Sequence, residues 1–116
     1  MTKMESKKIN VLGTEYTLTV CGEKEEPRLD GCDGLCDDTT KELLVESYGE
    51  HRDDPACKKN LQVQINKVKR HEIIHAFLFE SGLAENSEWA QNEEMVDFFA
   101  IQFPKMIAAF KEADAL

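Results

Sequence analysis

No stretch of this chain approaches the roughly 20 consecutive apolar residues needed to cross a bilayer. Residues 1–8 are polar and charged, and no apolar segment follows them. Neither a membrane-spanning helix nor a secretory signal is expected, and the expected compartment is the cytoplasm. Positive charge is scarce: 14 Lys and Arg stand against 23 Asp and Glu, a formal net charge of -9. Binding to a phosphate backbone needs clustered Lys and Arg, so direct nucleic-acid contact is not expected. The sign of the charge instead favours cations. Internal repeats and low-complexity linkers are missing. The 116 residues fit one domain, 1–116, with one modest core.

Cysteine occurs four times, at Cys21, Cys32, Cys36 and Cys57. In a reducing compartment these are expected to be mainly free thiols. Three residues separate Cys32 from Cys36, and with Cys21 and Cys57 they could form a four-thiolate zinc site. That spacing matches no standard zinc module, so free thiols are favoured. Asp30, Asp33, Asp37 and Asp38 in the same region fail the spacing of an EF-hand and read as a solvated acidic loop.

What the chain does contain divides into two regions. Ile9-Asn10-Val11-Leu12 and Tyr16-Thr17-Leu18-Thr19-Val20 are β-prone runs, and Gly13-Thr14 between them suits a hairpin turn. Residues 22–40 are rich in Gly, Pro and Asp and read as loop. Residues 41–47 read as a third strand. From Asp54-Pro55, a cap followed by a proline at the first helical position, a helix is expected to run to about residue 81. Leu61, Ile65, Val68, Glu72, His75 and Phe79 fall on one stripe, and Gly82 supplies the stop. A second helix is expected to start between residues 86 and 92. Pro104 should kink it or open a new helix. The fold class is therefore α+β, with a small three-stranded sheet packed on one long helix plus a second, Pro-kinked helix.

His71-Glu72-Ile73-Ile74-His75 is an HExxH motif inside the expected helix. Residues four apart share a helix face, so both imidazoles can reach one metal. Zinc accepts imidazole nitrogen at about 2.0–2.1 Å in a tetrahedral shell. Glu72 lies about 100° around the helix. From there it can take a proton from a water held by the metal and pass it to a leaving amine. A catalytic zinc takes three protein ligands and keeps one position open. His51 lies in a loop before the helix and reads as solvated. The acidic segment Asn92-Glu93-Glu94-Met95-Val96-Asp97 is the better source of the third ligand. Acidic residues at a helix start also complement the macrodipole. Helical geometry alone does not choose between Glu93 and Glu94.

These residues resemble the gluzincin family, in which HExxH is followed by a Glu on a later helix, as in thermolysin-like peptidases and minigluzincins. Asn92-Glu93 with Asp97 four residues on is similar to the Asn-Glu-x-x-x-Asp segment of that family. The resemblance implies a zincin-like fold, Glu93 as third zinc ligand, and Asp97 as the carboxylate that orients His71. Residues 70–78, then Glu80-Ser81-Gly82-Leu83, Trp89, Asn92-Glu93-Glu94 and Asp33-Gly34-Leu35-Cys36-Asp37, also resemble small zinc peptidases encoded by phages and prophages. In zincins the edge strand commonly borders the active site. Residues 43–47 are the candidate here, able to pair with an extended peptide.

The expected activity is hydrolysis of a peptide bond in an unidentified peptide or protein, with one zinc per chain. The rival is a zinc-binding phage or prophage protein without turnover, acting as an interaction module. The intact Glu72 favours the enzyme, because a structural site does not need it. Tyr48, His51 and Arg70 are candidates to hold a transition-state oxyanion, and nothing in the sequence chooses among them.

Overall fold

The computed structural model describes residues 5–49 and 54–116. Strands β1 (Glu5–Val11), β2 (Thr14–Cys21), β3 (Gly34–Asp37) and β4 (Glu42–Glu46) form one sheet in the order β1-β2-β4-β3. Helices α1 (Leu61–Glu80), α2 (Leu83–Asn86) and α3 (Glu93–Glu112) follow. β1 and β3 lie antiparallel to their neighbours, while β2 and β4 are parallel, with Leu18 opposite Leu43.

The β1–β2 register sets Val11 opposite Thr14 and leaves Leu12 and Gly13 as a two-residue turn. Both have positive φ, 51° and 92°. That is the pattern of a type I′ turn, whose twist matches the flanking strands. The turn therefore sits one residue earlier than Gly13-Thr14.

The α+β class holds, but the sheet has four strands rather than three. The additional strand, β3, lies inside the segment read as loop. Its sequence, GLCD, has no β-branched residue and includes Gly and Asp, which strands avoid. Its strand character comes from pairing with β4. For the same reason residues 43–47 do not supply the edge strand: β4 is interior, and β3 is the edge. Leu43, Leu44 and Val45 are all buried, the unbroken apolar run of a strand covered on both faces. Leu43 and Val45 join Tyr16, Leu18 and Val20 against Ile65, Val68 and Ala76 of α1. Leu44 faces the other way, onto Cys21 and Leu29. Arg28, in the 3-10 turn beside Leu29, bonds Glu26, Asp37 and Glu42, tying that turn to β3 and β4. The opposite edge, β1, is exposed and carries Lys7 and Lys8, which discourage pairing with another chain.

α1 begins at Leu61, not near residue 55. The Asp54 carboxylate accepts from Ala56 N–H at 2.9 Å and makes a turn. The cap is Asn60, whose side chain accepts from Val63 N–H at 3.3 Å. His51 lies outside the described residues. At the other end Gly82, with φ 83°, ends the helix in the left-handed region. Asn92 caps α3, accepting from Met95 N–H at 2.9 Å. α3 runs continuously through Pro104, so no new helix opens there. Among the described residues, no helix is long and apolar enough to cross a membrane.

The last residue of α1 anchors the hairpin. The Glu80 carboxylate accepts from Lys41 Nζ at 2.8 Å and from the Tyr16 hydroxyl at 2.7 Å. The Lys41 ammonium and then the Tyr16 hydroxyl hold that carboxyl down to about 2. A carboxyl depressed on folding stabilises above its unfolded value of about 4.3 and loses that contribution as pH falls through the folded value. Glu80→Gln should therefore lower the urea midpoint near pH 7, and the gap from the parent should close as pH falls toward about 2. Urea unfolding across that pH range checks it.

Candidate metal centre

The α1 helix turns once per 3.6 residues, so His71 and His75 stand one above the other. Their Nε2 atoms lie 3.2 Å apart. The chain between α1 and α3 brings the first turns of α3 back to this face. Glu93 reaches both rings, with Oε2 at 3.1 Å from His71 Nε2 and Oε1 at 2.9 Å from His75 Nε2. Asp97 lies behind, its Oδ1 2.9 Å from His71 Nδ1. Glu93 and Asp97 are four residues apart and share a face of α3, just as the two histidines share a face of α1.

His71, His75 and Glu93 form a group that could hold a metal ion, with their ligand atoms all within 4.8 Å of one another. The donor set is chemically suited to that role. In a tetrahedral shell with bonds of about 2.0–2.1 Å, donor atoms stand about 3.3 Å apart. The contacts of 2.9 to 3.2 Å are close to that spacing. Burial, opposed by the Glu93 carboxylate and reinforced by His71, lowers the His75 pKa. The ring is thus biased toward the neutral form that ligates. Asp97, 2.9 Å from His71 Nδ1, is placed to accept from that nitrogen, a bond that would leave Nε2 free to ligate. Glu94 is exposed and belongs to no such group.

Glu72 occupies the adjoining face of α1, against the sheet. It is only 6% exposed, and its carboxylate accepts no hydrogen bond among the described residues. Burial, and then the nearby Glu93 carboxylate, push its carboxyl up to about 7. That is the range in which a carboxylate exchanges protons readily at neutral pH. Gly34, the first residue of β3, lies directly against it. A Cβ added there would lie 2.6 Å from Val68 Cγ1 and 2.8 Å from Glu72 Oε2. Only glycine allows the edge strand to approach α1 this closely. The sequence pointed to Asp33-Gly34-Leu35-Cys36-Asp37 through resemblance alone; no local pattern revealed this contact.

Two oxyanion candidates are engaged elsewhere. Arg70 Nε donates to the Ala100 carbonyl at 2.6 Å. The Tyr48 hydroxyl donates to Asp33, and burial raises its pKa, keeping the phenol protonated. The cysteines are free thiols, and the described residues bring no four-thiolate group together. Burial pushes the Cys36 thiol up to about 12, away from reactive thiolate chemistry. No protein-family model, curated protein or solved structure matches the chain.

The Gly34 contact generates a test. Gly34→Ala should destabilise by about 1–3 kcal/mol, the usual cost of overpacking. Val68→Ala removes the nearest obstructing methyl groups, so the Gly34→Ala/Val68→Ala double variant should lose less than the sum of the single losses. Denaturant unfolding of the three variants measures the coupling.

Proposed function

We propose that the protein is a zinc-dependent peptidase with a minimal zincin-like fold, hydrolysing peptide bonds in a peptide or protein substrate. The observation that carries this reading is the convergence of His71, His75 and Glu93, with Asp97 on the far nitrogen of His71 and Glu72 buried alongside. A purely structural metal site closes its shell with four protein ligands, whereas this group offers three and leaves a position for water or substrate. Zinc, when bound, supplies Lewis-acid polarisation and lowers the pKa of water toward about 7.

The chain's own residues do the rest. His71 and His75 hold the ion from α1, and Glu93 closes the protein side of the shell from α3. Asp97 keeps His71 in the ligating tautomer. Glu72 accepts a proton from the attacking water and returns it to the leaving amine nitrogen, which suits a carboxyl raised toward neutrality by burial. The sheet edge beside Glu72 is β3, and its outer main chain is available to pair with an extended substrate backbone.

Glu72→Gln should keep zinc and abolish cleavage of any peptide the parent cuts in a library screen, because the amide cannot take up the proton. Cleavage at the parent rate would contradict the role given to Glu72. No cleavage by the zinc-loaded parent would favour a binding module without turnover. Under a competing chelator, zinc affinity should fall most in Glu93→Ala, by about 10–100-fold in Asp97→Ala, and least in Glu94→Ala.

A further inference from the structure

Arg70 and Pro104 have no part in the reaction described above, yet one bond links their roles. A proline inside a helix lacks the N–H that would bond the carbonyl four residues earlier. For Pro104 that carbonyl is Ala100's, and Ala100 is only 1% exposed. A buried carbonyl needs a partner. Arg70 Nε supplies it from the other helix at 2.6 Å, a charge-assisted bond.

The location of this bond matters. Arg70 precedes His71, and Ala100 lies three residues beyond Asp97. The bond therefore ties α1 to α3 within one helical turn of the His71–Asp97 contact. Apart from this bond and the histidine–carboxylate contacts of the metal group itself, the joint is apolar, through Ile74, Leu78, Met95 and Val96. Apolar contact is non-directional and tolerates sliding. The joint is also not fully packed, because a cavity of about 640 Å³ opens between Ile74, Phe77, Phe99 and Phe103. The Arg70 bond is a directional tie between the helices that lies outside the metal group and so can hold the register in which that group assembles.

We propose that Arg70 is a positioning residue for the metal centre. It holds α3 in the register that lets Glu93 and Asp97 meet the histidines, and Pro104 leaves the Ala100 carbonyl free to be held. The inference rests on the metal-centre reading, and it differs from a role in which Arg70 merely satisfies a stranded acceptor. Pro104→Ala separates the two, because it returns an N–H to Ala100 from within α3 without restoring a link between the helices.

The test compares the full-length parent, Arg70→Met, Pro104→Ala and the double variant. Zinc affinity is read by chelator competition. In zinc-free protein, nuclear Overhauser contacts between the His71 ring and α3 are read, together with the urea midpoint. Arg70→Met should weaken zinc binding about 10-fold or more, as for other groups that orient ligands, and should weaken the His71–α3 contacts. The double variant should regain urea stability but neither affinity nor contacts. Intact contacts and parental affinity in Arg70→Met would overturn the proposal, as would full recovery of both in the double variant. If the parent binds no zinc, the metal-centre reading fails, and the contacts alone still decide whether Arg70 sets the register. If Arg70→Met does not fold, Arg70→Lys takes its place: values between parent and complete loss support the proposal, and parental values overturn it.

Discussion

Every part of the candidate centre depends on α3 lying across α1 closely enough for its first two turns to reach His71. Two ligand atoms come from α1, but the carboxylates that join them come from a helix that starts thirteen residues after α1 ends at Glu80. Gly82 turns the chain in a conformation that most residues resist, and Asn92 starts α3 one residue before Glu93 is needed. The start of a helix also favours negative charge, so Glu93, in the first turn, sits where the α3 dipole stabilises it. Local helix energetics and the demands of a cation site thus favour the same residue.

The sheet provides the other half of the setting. β4 packs α1 against the core, and β3 extends past it to cover Glu72. The result is asymmetric. Glu93 and Asp97 remain largely open to solvent, at 63% and 58% side-chain exposure, while Glu72 is buried. Three carboxylates around two imidazoles repel one another, and a divalent cation among them would offset that repulsion. The difference in environment separates their chemistry. Glu93 and Asp97 face solvent, whereas burial raises the Glu72 carboxyl toward neutrality.

The features legible in the sequence were those set by local spacing. His71 and His75 fall on one face because they are four residues apart; Glu93 and Asp97 repeat that interval, but the resemblance to the Asn-Glu-x-x-x-Asp segment, not spacing, is what selects Glu93 over Glu94. Gly82 was readable as a stop because left-handed backbone strongly favours glycine. The missed features were non-local. β3 has a poor strand sequence and is defined by its neighbours, so the sequence points for the sheet edge to the apolar run at residues 43–47, which is interior. Asp54-Pro55 looked like a helix start because a cap and a turn use the same side chain, and only the bond to Ala56 distinguishes them. Arg70 could not be matched to Ala100 because the need for that bond arises from a proline on another helix.

X-ray absorption at the zinc edge of the purified, zinc-loaded protein tests the central claim most directly, because it reads the atoms around the ion. One zinc per chain is expected, with two imidazole nitrogens and carboxylate or water oxygen at about 2.0–2.2 Å, and no sulfur. A shell of sulfur at about 2.3 Å would place the metal on the cysteines and contradict it.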